Sequence, residues 1–197
     1  MYTKIVEKLN ALGGNTDHIS ADKTFAENWQ SIQFSGYLYD KEWDVYGIDA
    51  FYEKNKETYV DHNEKFYEDL IEHYFSEHEQ TYGQDFYKDW LFTPFKKDSK
   101  DDGELDGFVE EDELRKTVQG TEMDFICIIY SYGYPDHYFV CLTDPNPINP
   151  TVYSTDHEVY FQKIENEGSL EDFLDRYMTK EAFVGVVKEY LEEKFGK

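Results

Sequence analysis

Residues 149–178, NPTVYSTDHEVYFQKIENEGSLEDFLDRYM, are the stretch that decides the fold. Two short runs in it, Thr151–Ser154 and Glu158–Gln162, are rich in the β-branched and aromatic residues that favour strands. A tight polar corner at residues 155–157 separates the two runs, as expected where a chain reverses direction. The first part of the stretch therefore predicts a pair of short strands.

A helix is predicted after a polar loop that contains a glycine. Ser169 stands where this helix begins, with Asp172 three residues later, and its side chain can accept hydrogen bonds from the first free backbone N–H groups of the helix. Apolar residues recur behind this N-cap at helical spacing: Leu170, Phe173, Leu174 and Tyr177. The same spacing recurs in a last helix over about 180–194. We therefore expect helices at 169–178 and 180–195, both packed on a sheet.

Two further strands are predicted before this stretch. Phe125–Tyr130 and His137–Leu142 are β-branched and aromatic runs separated by a turn that contains glycine and proline. Both faces of this hairpin are apolar, which predicts that it lies in the interior and is covered on both sides. A turn centred near Tyr134 would place Cys127 opposite Cys141 across the ladder.

The N-terminal part is predicted to be mostly helical. A first helix is expected to end at the sequence Gly13-Gly14-Asn15, and residues 16–47 show no regular pattern. From residue 48 to about 80 the apolar residues form one wide helical face. A short helix is predicted over Phe86–Phe92, where Pro94 would end it.

The chain is predicted to be one α+β domain over residues 1–197. Residues 1–95 are the mostly helical part, 96–122 are an acidic connecting loop with a short helix at Glu110–Lys116, and 123–197 hold the sheet and the C-terminal helices. The expected architecture is an antiparallel sheet of about four or more strands, with N-terminal and C-terminal helices packed on it.

Composition limits the classes of partner. The formal net charge is −24, with 43 acidic and only 19 basic residues, so binding to nucleic acid or to anionic lipid is disfavoured. The same charge attracts cationic partners and speeds encounter with them, although it also serves simply to keep a surface solvated. The 18 tyrosines, 15 phenylalanines and 3 tryptophans argue against disorder and indicate a large core.

The sequence predicts a cytoplasmic protein. No apolar run reaches the length that spans a membrane, and no secretory hydrophobic region follows Met1. Two cysteines, Cys127 and Cys141, are too few for a disulfide framework and are expected to stay reduced.

Motifs for nucleophilic catalysis and for phosphate binding are missing from the sequence. There is no G-x-S-x-G motif, and the two cysteines lie within predicted strands, away from the helix N-termini that would stabilise a thiolate. His73 and His78 are five positions apart on a predicted helix, which places them poorly for a shared zinc ion.

His157 stands between Asp156 and Glu158, and two interpretations are open for it. It is either a base polarised by its carboxylate neighbours or, the interpretation that we favour, a residue whose ring caps the corner. Carboxylates are so numerous that pairs occur by chance. We therefore assign no catalytic, cofactor-binding or metal-binding residue.

One acidic motif is similar to a calcium loop. From Asp102 to Glu113 the acids fall at positions 1, 3 and 5, glycine at 6 and glutamate at 12, as in an EF-hand. Position 3 is Glu104 where a shorter side chain is usual, and Pro94 interrupts the incoming helix. The alternative, which we favour, is a solvated acidic loop that leads into a short helix, so no cofactor is predicted.

The order of elements in residues 123–178 resembles the C-terminal signature of the SUKH superfamily, the bacterial toxin-immunity and cell-wall-assembly-regulator domains. The signature is a p-V-Y-x-x-D-H-E strand followed by a loop and an S-hydrophobic-E-x-F-L helix. The residues that carry the resemblance are Pro150, Val152, Tyr153, Asp156, His157, Glu158, Ser169, Leu170, Glu171, Phe173 and Leu174. Residues 1–95 would then be a diverged N-terminal part.

The resemblance implies a non-enzymatic protein-binding domain. Many SUKH proteins are similar to cytosolic immunity proteins that mask toxin domains, often nucleases, and others regulate cell-wall assembly. A nuclease domain must be basic to hold phosphate, and a chain with a charge of −24 is electrostatically matched to it. We therefore expect a basic protein partner, bound by exposed carboxylates of the helical half and the rim of the sheet. The alternatives are an acid-rich hydrolase and an acidic adaptor.

Overall fold

The computed structural model describes residues 1–42, 44–76, 83–131 and 137–196. Over these residues the predicted α+β class is confirmed: eight helices accompany a six-stranded antiparallel sheet and a separate pair of short strands. The helices are α1 (Thr3–Ala11), α2 (Phe25–Ser31), α3 (Ile48–Lys54), α4 (Lys56–Asp61), α5 (Asn63–Ser76), α6 (Glu111–Leu114), α7 (Leu170–Leu174) and α8 (Lys180–Phe195). The strands are β1 (Gly14–Asn15), β2 (Gln33–Phe34), β3 (Gln84–Phe86), β4 (Leu91–Phe92), β5 (Phe125–Ser131), β6 (His137–Cys141), β7 (Thr151–Thr155) and β8 (Glu165–Ser169).

The sheet is an antiparallel meander with a divided edge. Its strand order is β3-β5-β6-β7-β8, and β4 pairs with the other end of β5. Strands β5 to β8 are therefore neighbours both in sequence and in space, as is common for antiparallel sheets. The short strands β1 and β2 pair only with each other in the described part of the chain.

The predicted hairpin of β5 and β6 is confirmed, but its register differs from the prediction. Cys127 lies opposite Phe139, and Phe125 lies opposite Cys141, so the two cysteines are not cross-strand partners. The register shifts between Cys127 and Ile129. Such a bulge adds one residue to β5, and the sequence contains no signal that would have revealed it.

Helices cover one face of the sheet, which we call the helical face. Ile126, Val140 and Val152 of the strands pack there against α1, α2 and α7. The helix residues that are buried on this face are Ile5, Leu9, Phe25, Trp29, Leu170, Phe173 and Leu174. Trp29 is fully buried, and its indole N–H donates a 2.6 Å hydrogen bond to the carbonyl of Tyr87.

Helix α2 lies within residues 16–47, which had been predicted to be irregular. Thr24 and Glu27 form a capping box: the Glu27 N–H donates to the Thr24 hydroxyl, and the Thr24 N–H donates to the Glu27 carboxylate. This T-x-x-E pattern is a helix-start signal that is visible in the sequence. The prediction of irregular structure is therefore wrong over Phe25–Ser31.

Irregular chain covers the opposite face, which we call the irregular face. Phe125, Cys127 and Phe139 of the strands are buried there. The covering residues are Leu105, Val109, Leu114 and Val118 from the segment after β4, and Phe161 from the turn after β7. Within that segment the only regular element among the described residues is α6, which has four residues.

The predicted strand at Glu158–Gln162 is wrong, because these residues form a turn. Phe161 adopts a positive φ of 55° and is 1% exposed, and its N–H donates a 2.8 Å hydrogen bond to the hydroxyl of Thr155. Its ring packs on those of Phe92 and Phe125, each with centroids 5.0 Å away. Phe161 of this run therefore fills the core from a turn, which makes it a plug of the irregular face. The strand that pairs with β7 is instead β8.

The predicted helix at Phe86–Phe92 is also wrong. This region instead contains β3 and β4, which pair with the two ends of β5. Two backbone hydrogen bonds, from Tyr87 to Ile128 and from Cys127 to Trp90, hold the intervening residues against the same strand. Tertiary pairing outweighs the weak local preference here.

A second group of helices, α3, α5 and α8, forms a separate core, which we call the helical cluster. Its buried residues come from these helices together with Tyr39 and Met178, and none comes from a strand. Phe183, Val187 and Leu191 of α8 are buried in it. The expectation that α8 packs on the sheet is therefore corrected, since it packs on the cluster, while α7 does lie on the sheet.

The predicted N-cap of α7 is confirmed. The hydroxyl of Ser169 accepts a 3.2 Å hydrogen bond from the N–H of Asp172, and α7 follows directly from β8. The α-helix ends at Leu174, earlier than residue 178. A backbone bond from Met178 to Tyr39 and one from Lys41 to Arg176 join this region to the helical cluster.

Candidate functional site

The segment from Asp98 to Glu113, which we call the acidic segment, is the densest group of charge in the chain. It carries a single basic residue, Lys100. Its acidic residues are Asp98, Asp101, Asp102, Glu104, Asp106, Glu110, Glu111, Asp112 and Glu113. Leu105 and Val109 are 3% and 5% exposed and fix the segment to the irregular face of the sheet.

Hydrogen bonds to the backbone fix the path of the acidic segment. The carboxylate of buried Asp101 accepts bonds of 2.9 Å from the N–H and 3.1 Å from the hydroxyl of Thr93. Gly103 donates its N–H to the carbonyl of Pro94 and adopts a positive φ of 79°, a conformation that suits glycine. The segment is therefore an ordered series of turns anchored at both ends, although it has little regular structure.

Phe108 is the exception within this segment. Its side chain is 70% exposed, the largest value among the exposed large hydrophobic residues, whereas the next residue, Val109, is buried. Exposing an aromatic ring of this size to water sacrifices the free energy that burial would give. An exposed aromatic residue among carboxylates has the composition of a protein-binding surface, in which an aromatic anchor is surrounded by a polar rim.

The resemblance of residues 102–113 to a calcium loop does not extend to its geometry. The Asp102 carboxylate accepts a 2.8 Å bond from the N–H of Asp98, and the Glu113 carboxylate accepts a 3.4 Å bond from the N–H of Glu110. The first and twelfth positions are thus engaged with backbone groups. Among the described residues, no three carboxylate, histidine or cysteine side chains come together as a metal site would require.

The carboxylate of Asp156 caps the corner after β7, while capping by the ring of His157 stays a prediction. The carboxylate of Asp156 accepts a hydrogen bond from the N–H of Glu158. The His157 side chain is 66% exposed, with its Nδ1 3.8 Å from Asp156. This arrangement is that of an Asx turn, a common local use of aspartate.

The described histidine and cysteine residues that the sequence analysis considered for metal binding or catalysis, His73, Cys127 and Cys141, contribute to packing. His73 stacks on Phe51 with ring centroids 5.1 Å apart, while His78 lies outside the described residues. Cys127 and Cys141 are buried free thiols. Burial raises the pKa of Cys127 to about 12 and also raises the pKa of Cys141, so both are protonated at neutral pH and neither is activated as a nucleophile.

Four aspartates are buried in the part of the chain that the structure describes, and one of them differs from the others. Asp101, Asp144 and Asp156 each accept at least one hydrogen bond from a backbone N–H. The carboxylate of Asp124 accepts no hydrogen bond from a backbone N–H of the described residues, and its ion partner is Lys96, with Nζ 3.6 Å from Oδ2. Asp124 is nevertheless only 8% exposed, and this burial raises the pKa of its carboxyl group.

Asp124 faces a cleft of 290 Å³ at the end of β5. The cleft lies where the acidic segment meets the sheet, since Glu111 of α6 lines it. Its other lining residues are Phe95, Lys96, Glu122 and Met123. Neither Asp124 nor Phe108 was singled out from the sequence, because nothing in the sequence distinguishes one buried aspartate or one exposed aromatic residue from the rest.

In the described part of residues 1–95, which we call the helical half, the most exposed large hydrophobic residue is Val60. Val60 of α4 is 55% exposed and lines a shallow cleft over residues 53–61 at the α3–α4 elbow. The carboxylates of Glu53, Glu57 and Asp61 share that cleft with two lysines. The elbow is therefore less acidic than the acidic segment and has no exposed aromatic anchor in its lining.

None of the helices in the described ranges is both long enough and apolar enough to cross a membrane. Comparison with known proteins gives no further assignment: no protein-family model matches the chain, and neither a curated protein nor a solved structure is significantly similar to it.

Proposed function

We propose that this protein is a non-enzymatic binding protein for a basic protein partner, and that the acidic segment with Phe108 is the surface that makes the contact. The observation that carries the proposal is the 70% exposure of Phe108 within a segment of nine carboxylates and one lysine. The segment is held on the sheet by Leu105 and Val109, so it presents these groups in a fixed arrangement before a partner arrives. A surface that is ordered in advance loses less entropy on binding.

Charge and Phe108 have different tasks in this proposal. The net charge of −24 accelerates encounter with a cationic surface and disfavours acidic partners. Phe108 supplies the apolar contact that holds the complex together, because buried aromatic anchors account for most of the affinity of an interface. The charge therefore acts mainly on the association rate, and Phe108 mainly on the dissociation rate.

In its specific form, the protein is an immunity protein that binds and neutralises a basic toxin domain, such as a nuclease. This role is supported by the SUKH-like residues, which lie in the continuous unit β7–β8–α7, and by the match between an acidic protein and the basic cleft of a nuclease. Such a protein would act in the cytoplasm, where the toxin's substrate is. An acidic adaptor that regulates cell-wall assembly would use the same surface.

The experiment is to purify this protein with each basic toxin domain encoded next to its gene and to measure binding kinetics at low and at physiological salt. We expect association to slow about tenfold over that range, while dissociation changes little. We expect Phe108→Ala to speed dissociation by about tenfold or more, the effect of losing a central anchor. Val60→Ala is the matched control, since it removes an exposed apolar side chain from the helical half.

The outcomes separate the parts of the proposal. An association rate that does not depend on salt contradicts the electrostatic role. If Val60→Ala weakens binding as much as Phe108→Ala does, the surface lies in the helical half instead. Failure of co-expression to protect cells from a toxin domain that the protein does bind contradicts immunity and leaves the binding function standing.

A further inference from the structure

We infer that the cleft beside Asp124 is a binding site for a guanidinium group, filled by an arginine side chain of the basic partner. This inference deepens the proposed function, on which it rests, because it names the chemical group that the surface recognises. The first argument concerns hydrogen bonds. Asp124 is only 8% exposed, yet its carboxylate lines a cleft and receives no hydrogen bond from a backbone N–H of the described residues. The other three buried aspartates in the described ranges each accept at least one such bond.

Lys96 lines the same cleft and is the ion partner of Asp124. Its Nζ lies 3.6 Å from the Asp124 Oδ2, at the long limit of a hydrogen bond, and its side chain is 61% exposed. It therefore balances the charge of Asp124 in part, through a long contact to Oδ2. We interpret Lys96 as a weak internal substitute for a cation that comes from outside.

The shape and the lining of the cleft favour guanidinium over other cations. The volume of 290 Å³ is several times the roughly 30 Å³ that one water molecule occupies in the liquid, so a planar side-chain group fits. Guanidinium can give two parallel hydrogen bonds to one carboxylate, which an ammonium group cannot do. Phe95 in the lining is partly exposed and offers an aromatic surface on which a guanidinium stacks.

The charged residues around the cleft also favour a guanidinium group. Glu122 and Glu111 line the same cleft, so its potential is negative even though Glu111 is paired with Arg115. A metal ion is a poorer candidate, since these carboxylates are not among any group of three or more potential ligands that converge in the described ranges. The position of Glu111 in α6 also makes the cleft continuous along the chain with the surface that carries Phe108.

The test uses labelled oligoarginine and oligolysine peptides of equal length, whose binding is measured by fluorescence anisotropy. We expect the protein to bind oligoarginine about fivefold more tightly than oligolysine, because only guanidinium forms the bidentate pair. Asp124→Asn should remove this preference. The matched control is Asp112→Asn, which removes the same charge from an exposed position in the acidic segment and should keep the preference.

Two further variants make the test independent of how well Asp124→Asn folds. Phe95→Leu keeps every charge but removes the stacking surface, and it should reduce the preference for arginine. Lys96→Met removes the internal competitor and should raise oligoarginine affinity by more than Lys97→Met, which changes the net charge equally.

The possible failures are distinguishable. Equal binding of the two peptides, or a preference that Asp124→Asn leaves intact, overturns the guanidinium site while the proposed function stands. If neither peptide binds, the electrostatic basis of the proposed function fails, and the inference fails with it.

Discussion

The two faces of the sheet bury similar strand residues but are covered in different ways. On the helical face, α1, α2 and α7 contribute whole apolar stripes, and their backbone groups are satisfied within the helices. On the irregular face, a chain that is mostly turns contributes a few separate anchors and the plug Phe161. In a helical cover, most residues are needed for the hydrogen bonds of the helix and for its packing on the sheet. An irregular cover leaves the residues between its anchors, here mostly carboxylates and Phe108, available for a partner.

The largest effect is expected on the helical face. Trp29→Ala should lower the free energy of unfolding by about 4 kcal/mol, because it leaves a large cavity and also removes the hydrogen bond to Tyr87. Urea denaturation followed by far-UV circular dichroism would measure it. A loss of stability below about 1 kcal/mol is typical of substitutions at the protein surface. That result would contradict the difference that we draw between the two faces of the sheet.

A smaller effect is expected when an anchor of the irregular face is removed. Leu105→Ala should cost about 2 kcal/mol, at the low end for a buried leucine, because turns can collapse into part of the cavity. Amide hydrogen exchange should then become faster across residues 93–118 while β5 and β6 stay protected. Equal acceleration in the strands would show that the irregular cover unfolds only together with the sheet.

Two tyrosines on the irregular face should respond in opposite ways to loss of the hydroxyl. The Tyr160 hydroxyl is buried without a hydrogen-bond partner among the described residues, so Tyr160→Phe should raise the free energy of unfolding by about 1 kcal/mol. The Tyr153 hydroxyl accepts a 2.9 Å bond from the N–H of Gln119, so Tyr153→Phe should lower it by about 1 kcal/mol. Thermal denaturation of both variants would test this pair, and effects of the same sign would contradict it.

The smallest effect concerns pH. Burial raises the pKa of Asp124 above its ordinary value of 3.8, so in the window between the two values the folded protein binds more protons than the unfolded chain. This contribution therefore makes stability fall as pH rises through that window. Asp124→Asn should be slightly more stable than the natural protein at neutral pH, and the difference should vanish as pH falls below the window. Melting temperatures of the two proteins across that range would measure it, and a constant difference would refute it.

Local signals in the sequence were sufficient for part of the fold. The β5–β6 hairpin, β7 and the Ser169 cap were predictable because β-branched runs, turn residues and an N-cap act over a few residues. The strand β8 was not, since its sequence ENEGS has no β pattern and forms a strand only by pairing with β7. The opposite holds for Glu158–Gln162. These residues have the composition of a strand, but they form a turn whose apolar side chain fills the core.

The candidate site was predictable only in outline. The charge of residues 98–113 predicts an exposed acidic loop, and most of its carboxylates are exposed. The sequence could not show that Phe108 points outward while Val109 points inward, because both are apolar and adjacent. It also could not show that Asp124 is buried without a backbone hydrogen bond, since that depends on how the segment after β4 packs against the end of β5.

The packing of α8 on α5 has a consequence for the order in which the protein can be completed during synthesis. Helix α5 ends at Ser76, whereas α8 begins only at Lys180, and the whole sheet lies between them in the chain. The aromatic face of α3 and α5 therefore leaves the ribosome long before Phe183, Val187 and Leu191 arrive to cover it. Nascent chains that expose apolar surface in this way are prone to aggregation and are bound by chaperones. We expect the helical cluster to depend on such protection until translation reaches α8.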